Sequence, residues 1–150
     1  MLFLCNQTYY QLNFAVHLRT LDISCLQYKI GNNLVVDDFD IIYMIGGNTF
    51  YLMHEINKFK FDKVIRYALE RNIVYVRNSA GSIILGNSID VALPFDENKV
   101  KLIDFSGLGI VDSVIIPHAQ RKQEFIKHYI NSTKNDLIIL NDGDGKIIRK

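Results

Sequence analysis

Cysteine is scarce in this chain of 150 residues, and the two present, Cys5 and Cys25, fit neither metal-ligand nor redox spacing. Two thiols in a chain of this size suit a reducing compartment, so a cytoplasmic location is expected. Net charge is almost absent too: seventeen Lys and Arg against sixteen Asp and Glu leave +1. That balance gives no electrostatic footprint for nucleic acid or for an acidic membrane surface. No apolar run approaches the roughly 18 residues of a membrane span. The apolar start, residues 1–5, lacks a basic flank and gives way to Asn6, Gln7 and Thr8, which argues against a secretion signal. Internal repeats and low-complexity tracts are missing. No metal and no cofactor are expected.

What the chain does have is 49% hydrophobic residues, enough for one core and one domain over residues 1–150. Residues 73–76, Ile-Val-Tyr-Val, read as a strand buried on both faces, and the small residues after it allow a tight turn into a short helix. Residues 40–45 read as a second buried strand, closed by Gly46-Gly47-Asn48-Thr49, where Asn48 or Thr49 caps a helix through Phe50, Leu52, Met53 and Ile56. Phe61, Val64, Ile65, Ala68 and Leu69 recur at helical spacing and lead into the strand at 73. Strand, helix and strand in that order imply parallel strands whose C-terminal ends share one edge, the edge where open α/β sheets bind ligands.

Elsewhere the pattern is looser. Residues 1–18 fit neither period; a helix fragment and then a strand over 15–23 are expected. Residues 31–33 read as a turn and 35–39 as a connection. Residues 87–112 read as loops and short edge strands, 114–116 as a third apolar strand ending in Pro117-His118, and 125–130 as a helix. Residues 137–140 and 146–148 flank the turn-rich stretch 141–145, consistent with a hairpin.

Ser79 falls on the turn after the strand at 73–76. A serine held between a strand end and a helix N-terminus exposes its hydroxyl, and the next N–H, that of Ala80, points where an oxyanion can form. The plainer reading is that Ser79 caps the helix. A nucleophilic serine needs a base and a group that orients it. Of the four histidines, His118 alone follows a buried strand and a proline, although a surface-loop histidine fits equally well. Asp142 and Asp90 both offer an orienting carboxylate, and both also fit plain turn aspartates.

Ile45-Gly46-Gly47-Asn48-Thr49-Phe50-Tyr51-Leu52, then Asn78-Ser79-Ala80-Gly81-Ser82, then Ile116-Pro117-His118 resemble the motifs of the peptidase E family, the alpha-aspartyl dipeptidases with their cyanophycinase relatives. The resemblance covers about residues 21–148. It implies an α/β fold of three α-β-α layers around a mostly parallel sheet, the class I glutamine-amidotransferase-like (flavodoxin-like) arrangement. It also implies Ser79 as nucleophile, His118 as general base, and the N–H groups of Gly47 and Ala80 as the oxyanion hole. Asp142 then matches the third triad position and Asp90 a second aspartate that supports the site. Asn48 and Arg121 are the expected substrate contacts, with Lys122 an alternative to Arg121.

Three departures accompany the resemblance. Arg77 stands where the family has glycine, which is expected to cost strain or a shifted loop. Asp142 is one methylene shorter than the family's glutamate, so it reaches His118 only if the turn at 141–145 moves in. The chain is also expected to lack the family's first strand, exposing an apolar strip that favours a homodimer or marginal stability. The expected function is a serine-type dipeptidase-like hydrolase that cleaves short peptides through an acyl-enzyme. Its rivals are a catalytically inactive amidotransferase-like binding or assembly domain and, more weakly, a phosphate site at Gly46-Gly47-Asn48-Thr49.

Overall fold

The computed structural model describes residues 2–4, 26–27 and 41–149, the first two segments as backbone only. Strand β1 (Leu2–Leu4) lies between β2 (Leu26–Gln27) and β3 (Ile41–Met44), and β3 pairs onward with β4 (Val74–Arg77). Every pairing in this four-stranded sheet is parallel, with Ile42 opposite Leu2 on one side and Tyr75 on the other. A second sheet joins β5 (Val114–Ile116) to β6 (Leu137–Ile139), again in parallel. The order β2-β1-β3-β4 is that of a flavodoxin-like, doubly wound sheet.

The helices follow from the apolar spacing. In α1 (Thr49–Phe59) Phe50, Met53 and Ile56 fall on one face and are buried, Phe50 edge-on to the Phe105 ring at 5.7 Å between centroids. Lys60, in the left-handed region at φ 55°, turns the chain directly into α2 (Phe61–Glu70), which buries Phe61, Ile65 and Ala68. The short α3 (Ala80–Ile83) is buried along its whole length, and α4 (Gln123–Ser132) buries Ile126. These faces enclose a core that runs from Ile42 and Met44 of β3 to the fully buried Val114, Ile115 and Ile116 of β5. Among the described residues no helix is long and apolar enough to cross a membrane.

β1 lies beside β3, and its backbone pairs on both sides. Several expectations are corrected. No hairpin forms at the C-terminal end: β6 takes β5 as its parallel partner, and residues 146–148 are not a strand. Residues 141–144 do close a turn, the Asp144 N–H donating to the Asn141 carbonyl at 3.2 Å and the Asn141 N–H and side-chain amide donating to Asp144 Oδ2 at 2.9 and 3.0 Å, but the chain beyond it pairs with nothing as a strand. Residues 87–112 form loops, a 3-10 turn over Asp90–Ala92 and a single antiparallel bridge, Ser88 to Ser106, rather than edge strands. The strand expected at 15–23, the turn at 31–33 and the connection at 35–39 lie outside the described residues.

Candidate active site

Ser79 occupies the junction between β4 and α3 with φ 50° and ψ −121°, a conformation that a non-glycine residue adopts only under constraint. Its position is that of a helix cap, but its side chain makes no cap hydrogen bond, which removes the plainer reading of this serine. The strain is held by close packing on both sides of the turn. A Cβ on Gly46 would lie 2.5 Å from Ser79 Cβ, and one on Gly81 would lie 2.7 Å from the Met44 carbonyl oxygen. Glycine at these two positions lets the end of β3 and the start of α3 clamp the serine between them. Arg77 needs no shifted loop: it is the last residue of β4, in register with Met44, and the distortion falls on Ser79 two residues later.

His118 follows β5 in the left-handed region, φ 59° and ψ 39°, and opens a 3-10 turn over Ala119–Arg121. Its Nδ1 is hydrogen-bonded to Asp142 Oδ1. The other carboxylate oxygen of Asp142 accepts from the Arg121 guanidinium at 2.8 Å, and the Asp142 backbone N–H donates to Gln120 Oε1 at 3.0 Å. The shorter aspartate therefore does reach the histidine, because the loop that starts at Asn141 brings it in and the 3-10 turn holds it from the other side. The hydrogen bond with His118 holds the Asp142 carboxyl below the usual carboxylate range; partial desolvation opposes this, and the His118 and Arg121 charges add to it.

Ser79, His118, Asp142, Gly47 and Arg121 line one cleft, which lies between the end of β4 and the loops after β5 and β6. Neither the Gly47 nor the Ala80 N–H donates a backbone hydrogen bond among the described residues; Gly47 lines the cleft, whereas Ala80 is buried behind Ser79 and does not line it. Two expected site residues are placed elsewhere. Asp90 does not line the cleft: its Oδ1 accepts from Ser88 Oγ at 2.6 Å and from the Tyr129 hydroxyl at 2.7 Å, tying α4 to the loop after α3. Asn48 is spent on structure, its Oδ1 accepting from the Tyr51 N–H at 2.9 Å and its Nδ2 donating to the Glu97 carbonyl at 2.8 Å. The N-terminus of α1 is not open to a phosphate either, since Asp96 Oδ2 accepts from the Thr49 N–H at 2.7 Å. Asp96 is a contact that sequence spacing gave no means of finding, because it comes from a loop 47 residues downstream. Among the described residues no group of three or more His, Cys, Asp or Glu is arranged to hold a metal ion.

The model of peptidase family S51 matches residues 6–148. The chain belongs to peptidase family S51. An uncharacterized peptidase of Pasteurella multocida is 29% identical over 145 residues, covering 88% of this chain and 67% of that protein. One from Listeria monocytogenes is 35% identical over 81 residues, covering 53% of this chain and 40% of its own length. Peptidase E of Shewanella amazonensis is 34% identical over 101 residues, covering 65% and 41%. The chain thus spans two thirds of the Pasteurella relative and about two fifths of the other two. A crystal structure of a candidate peptidase E protein from Listeria monocytogenes matches with a TM-score of 0.76 at 22% identity, covering 91% of this chain and 72% of that one. Its likeness establishes the fold of this S51 chain as that of the peptidase E structure.

Proposed function

We propose that this S51 chain is a serine-type peptidase that cleaves short peptides through an acyl-enzyme on Ser79. The observation that carries the reading is the strained conformation of Ser79, whose hydroxyl caps nothing and shares a cleft with a histidine already fixed by a carboxylate. In this reading Asp142 holds the His118 Nδ1 proton, leaving Nε2 free to take the proton from Ser79 Oγ as the oxygen attacks the peptide carbonyl. The tetrahedral oxyanion receives the N–H groups of Gly47 and Ala80. His118 then gives its proton to the leaving amine; a water molecule, deprotonated by the same ring, attacks the acyl carbonyl, and the ring passes that proton to Ser79 Oγ as the ester C–O bond breaks and the acid is released. Asp90 and Asn48 keep the fold in this scheme, and Arg121 orients Asp142.

A second reading, a domain that binds without turnover, is favoured by one observation: Ser79 Oγ makes no hydrogen bond to His118 among the described residues. A fluorophosphonate probe separates the two. Labelling of the wild-type chain that disappears in Ser79→Ala, together with release of amino acids from dipeptides, supports the peptidase. A folded wild-type chain that takes up no label overturns it.

A further inference from the structure

Of the cleft-lining cations that the scheme above does not use, Arg66, Arg77, Lys146 and Arg149, Arg77 is the one that is not exposed. It lies on β4 two residues before Ser79, lines the same cleft, and is half-buried. Burial pushes its guanidinium below the usual arginine range, opposed by Tyr75. A partly desolvated charge of this kind is costly unless an anion meets it. No anion of the chain does so among the described residues. Three carboxylates line the cleft, and two are committed elsewhere: Asp142 to His118 and Arg121, Asp144 to Asn141. The third, Glu70, sits exposed at the end of α2 and forms no ion pair with Arg77. Tyr75 shares a strand face with Arg77 because side chains alternate along β4. Its hydroxyl is fully buried and has no hydrogen-bond partner, so that face supplies no counter-charge. Arg121, the cation expected to meet substrate, is held by Asp142 instead.

We propose that Arg77 is the specificity residue of this cleft and receives a free carboxylate of the bound peptide. The guanidinium presents several N–H donors in one plane and matches a carboxylate oxygen for oxygen, and in a half-buried site such charge-assisted bonds strengthen. The carboxylate comes either from the peptide's C-terminus or from an acidic side chain. The choice of a peptide as ligand rests on the peptidase reading; the need of Arg77 for an anion does not.

The test uses Ser79→Ala protein, so that binding is read without turnover, and four probes: Asp-Leu, Asn-Leu and the C-terminal amide of each. Calorimetric titration should show the probe without a side-chain or terminal carboxylate, Asn-Leu amide, binding about tenfold or more weaker than Asp-Leu. Of the two singly charged probes, the one that keeps its affinity names the source. Adding Arg77→Met should erase the discrimination, and Arg77→Lys, which keeps the charge and loses the planar fork, should restore part of it. Equal binding of all four probes, no binding of any, or discrimination that survives Arg77→Met overturns the proposal. The fluorophosphonate carries no carboxylate, so labelling of the wild-type chain at Ser79 reports on the peptidase reading separately.

Discussion

Asp142 holds His118 with one carboxylate oxygen while Arg121 holds Asp142 by the other, so the ring is fixed from behind by a carboxylate that is itself oriented. Both side chains remain about a third exposed, 31% for the histidine and 35% for the aspartate, and both line the cleft. Removing the carboxylate should leave the ring free to adopt the wrong tautomer. Asp142→Asn is expected to lower dipeptide turnover by roughly three to four orders of magnitude while the fold persists, checked by steady-state kinetics beside circular dichroism.

The same aspartate sets a pH dependence of stability. Its carboxyl titrates below its ordinary value of 3.8 in the folded protein, so its contribution is complete above that value and is lost as the pH falls through the lower, folded one. The difference in melting temperature between the wild type and Asp142→Asn should therefore be constant near neutrality and shrink below about pH 4. A difference that widened on acidification would contradict the arrangement.

Gly46→Ala places a methyl group 2.5 Å from Ser79 Cβ. Since the backbone of Ser79 is already constrained, the serine must move. The variant should lose about 1–3 kcal/mol of stability in urea unfolding. Its rate of labelling by a fluorophosphonate should fall by about tenfold or more, because small displacements of a nucleophile are costly. Labelling at the wild-type rate would show that the turn has slack.

Tyr129→Phe separates structure from chemistry at Asp90. The hydroxyl donates to Asp90 Oδ1 at 2.7 Å, outside the cleft, and burial pushes its ionisation above the usual tyrosine range. Loss of this bond should cost about 1 kcal/mol in chemical denaturation and leave turnover within about twofold. A large loss of turnover in a folded variant would return Asp90 to the site.

The elements with strong periodicity were legible in the sequence. The apolar run at 114–116 predicts a strand with its observed limits, and apolar spacing places the strand ending near Ile45, the helix after Thr49 and the helix from Phe61 within a residue or two. Ser79 was legible because an apolar strand and a run of small residues bracket it, although β4 is half-exposed, with Val74 open to solvent, and not buried on both faces as its apolar run predicts. The roles of Asp90 and Asn48 were not, since what decides them is where distant chain segments dock: Tyr129 comes from 39 residues downstream and Glu97 from 49. The choice between Asp142 and Asp90 as partner of His118 likewise depends on a loop closed by Asn141 and Asp144, a contact that turn propensity does not reveal. The pairing of β6 departs from the expected hairpin because an Asp-Gly turn between two apolar runs is a hairpin signal that tertiary packing against β5 overrides.

Ser79 hangs from the four-stranded sheet and His118 from the two-stranded one, so the reach between hydroxyl and imidazole is fixed by the seam that joins the sheets. Along it the chain after α3 bonds to the segment before β5, among others through the Asn87 N–H to the Ser113 carbonyl at 3.0 Å, the Leu108 N–H to the Ile84 carbonyl at 2.7 Å and the Ile110 N–H to the Leu85 carbonyl at 3.0 Å. Gly107 backs onto it so tightly that a Cβ there would meet the Gly86 carbonyl oxygen at 2.1 Å. On the peptidase reading, a side chain at Gly107 would act at a distance, pressing on the backbone that ties the Ser79 loop to the His118 loop while leaving every side chain in both intact.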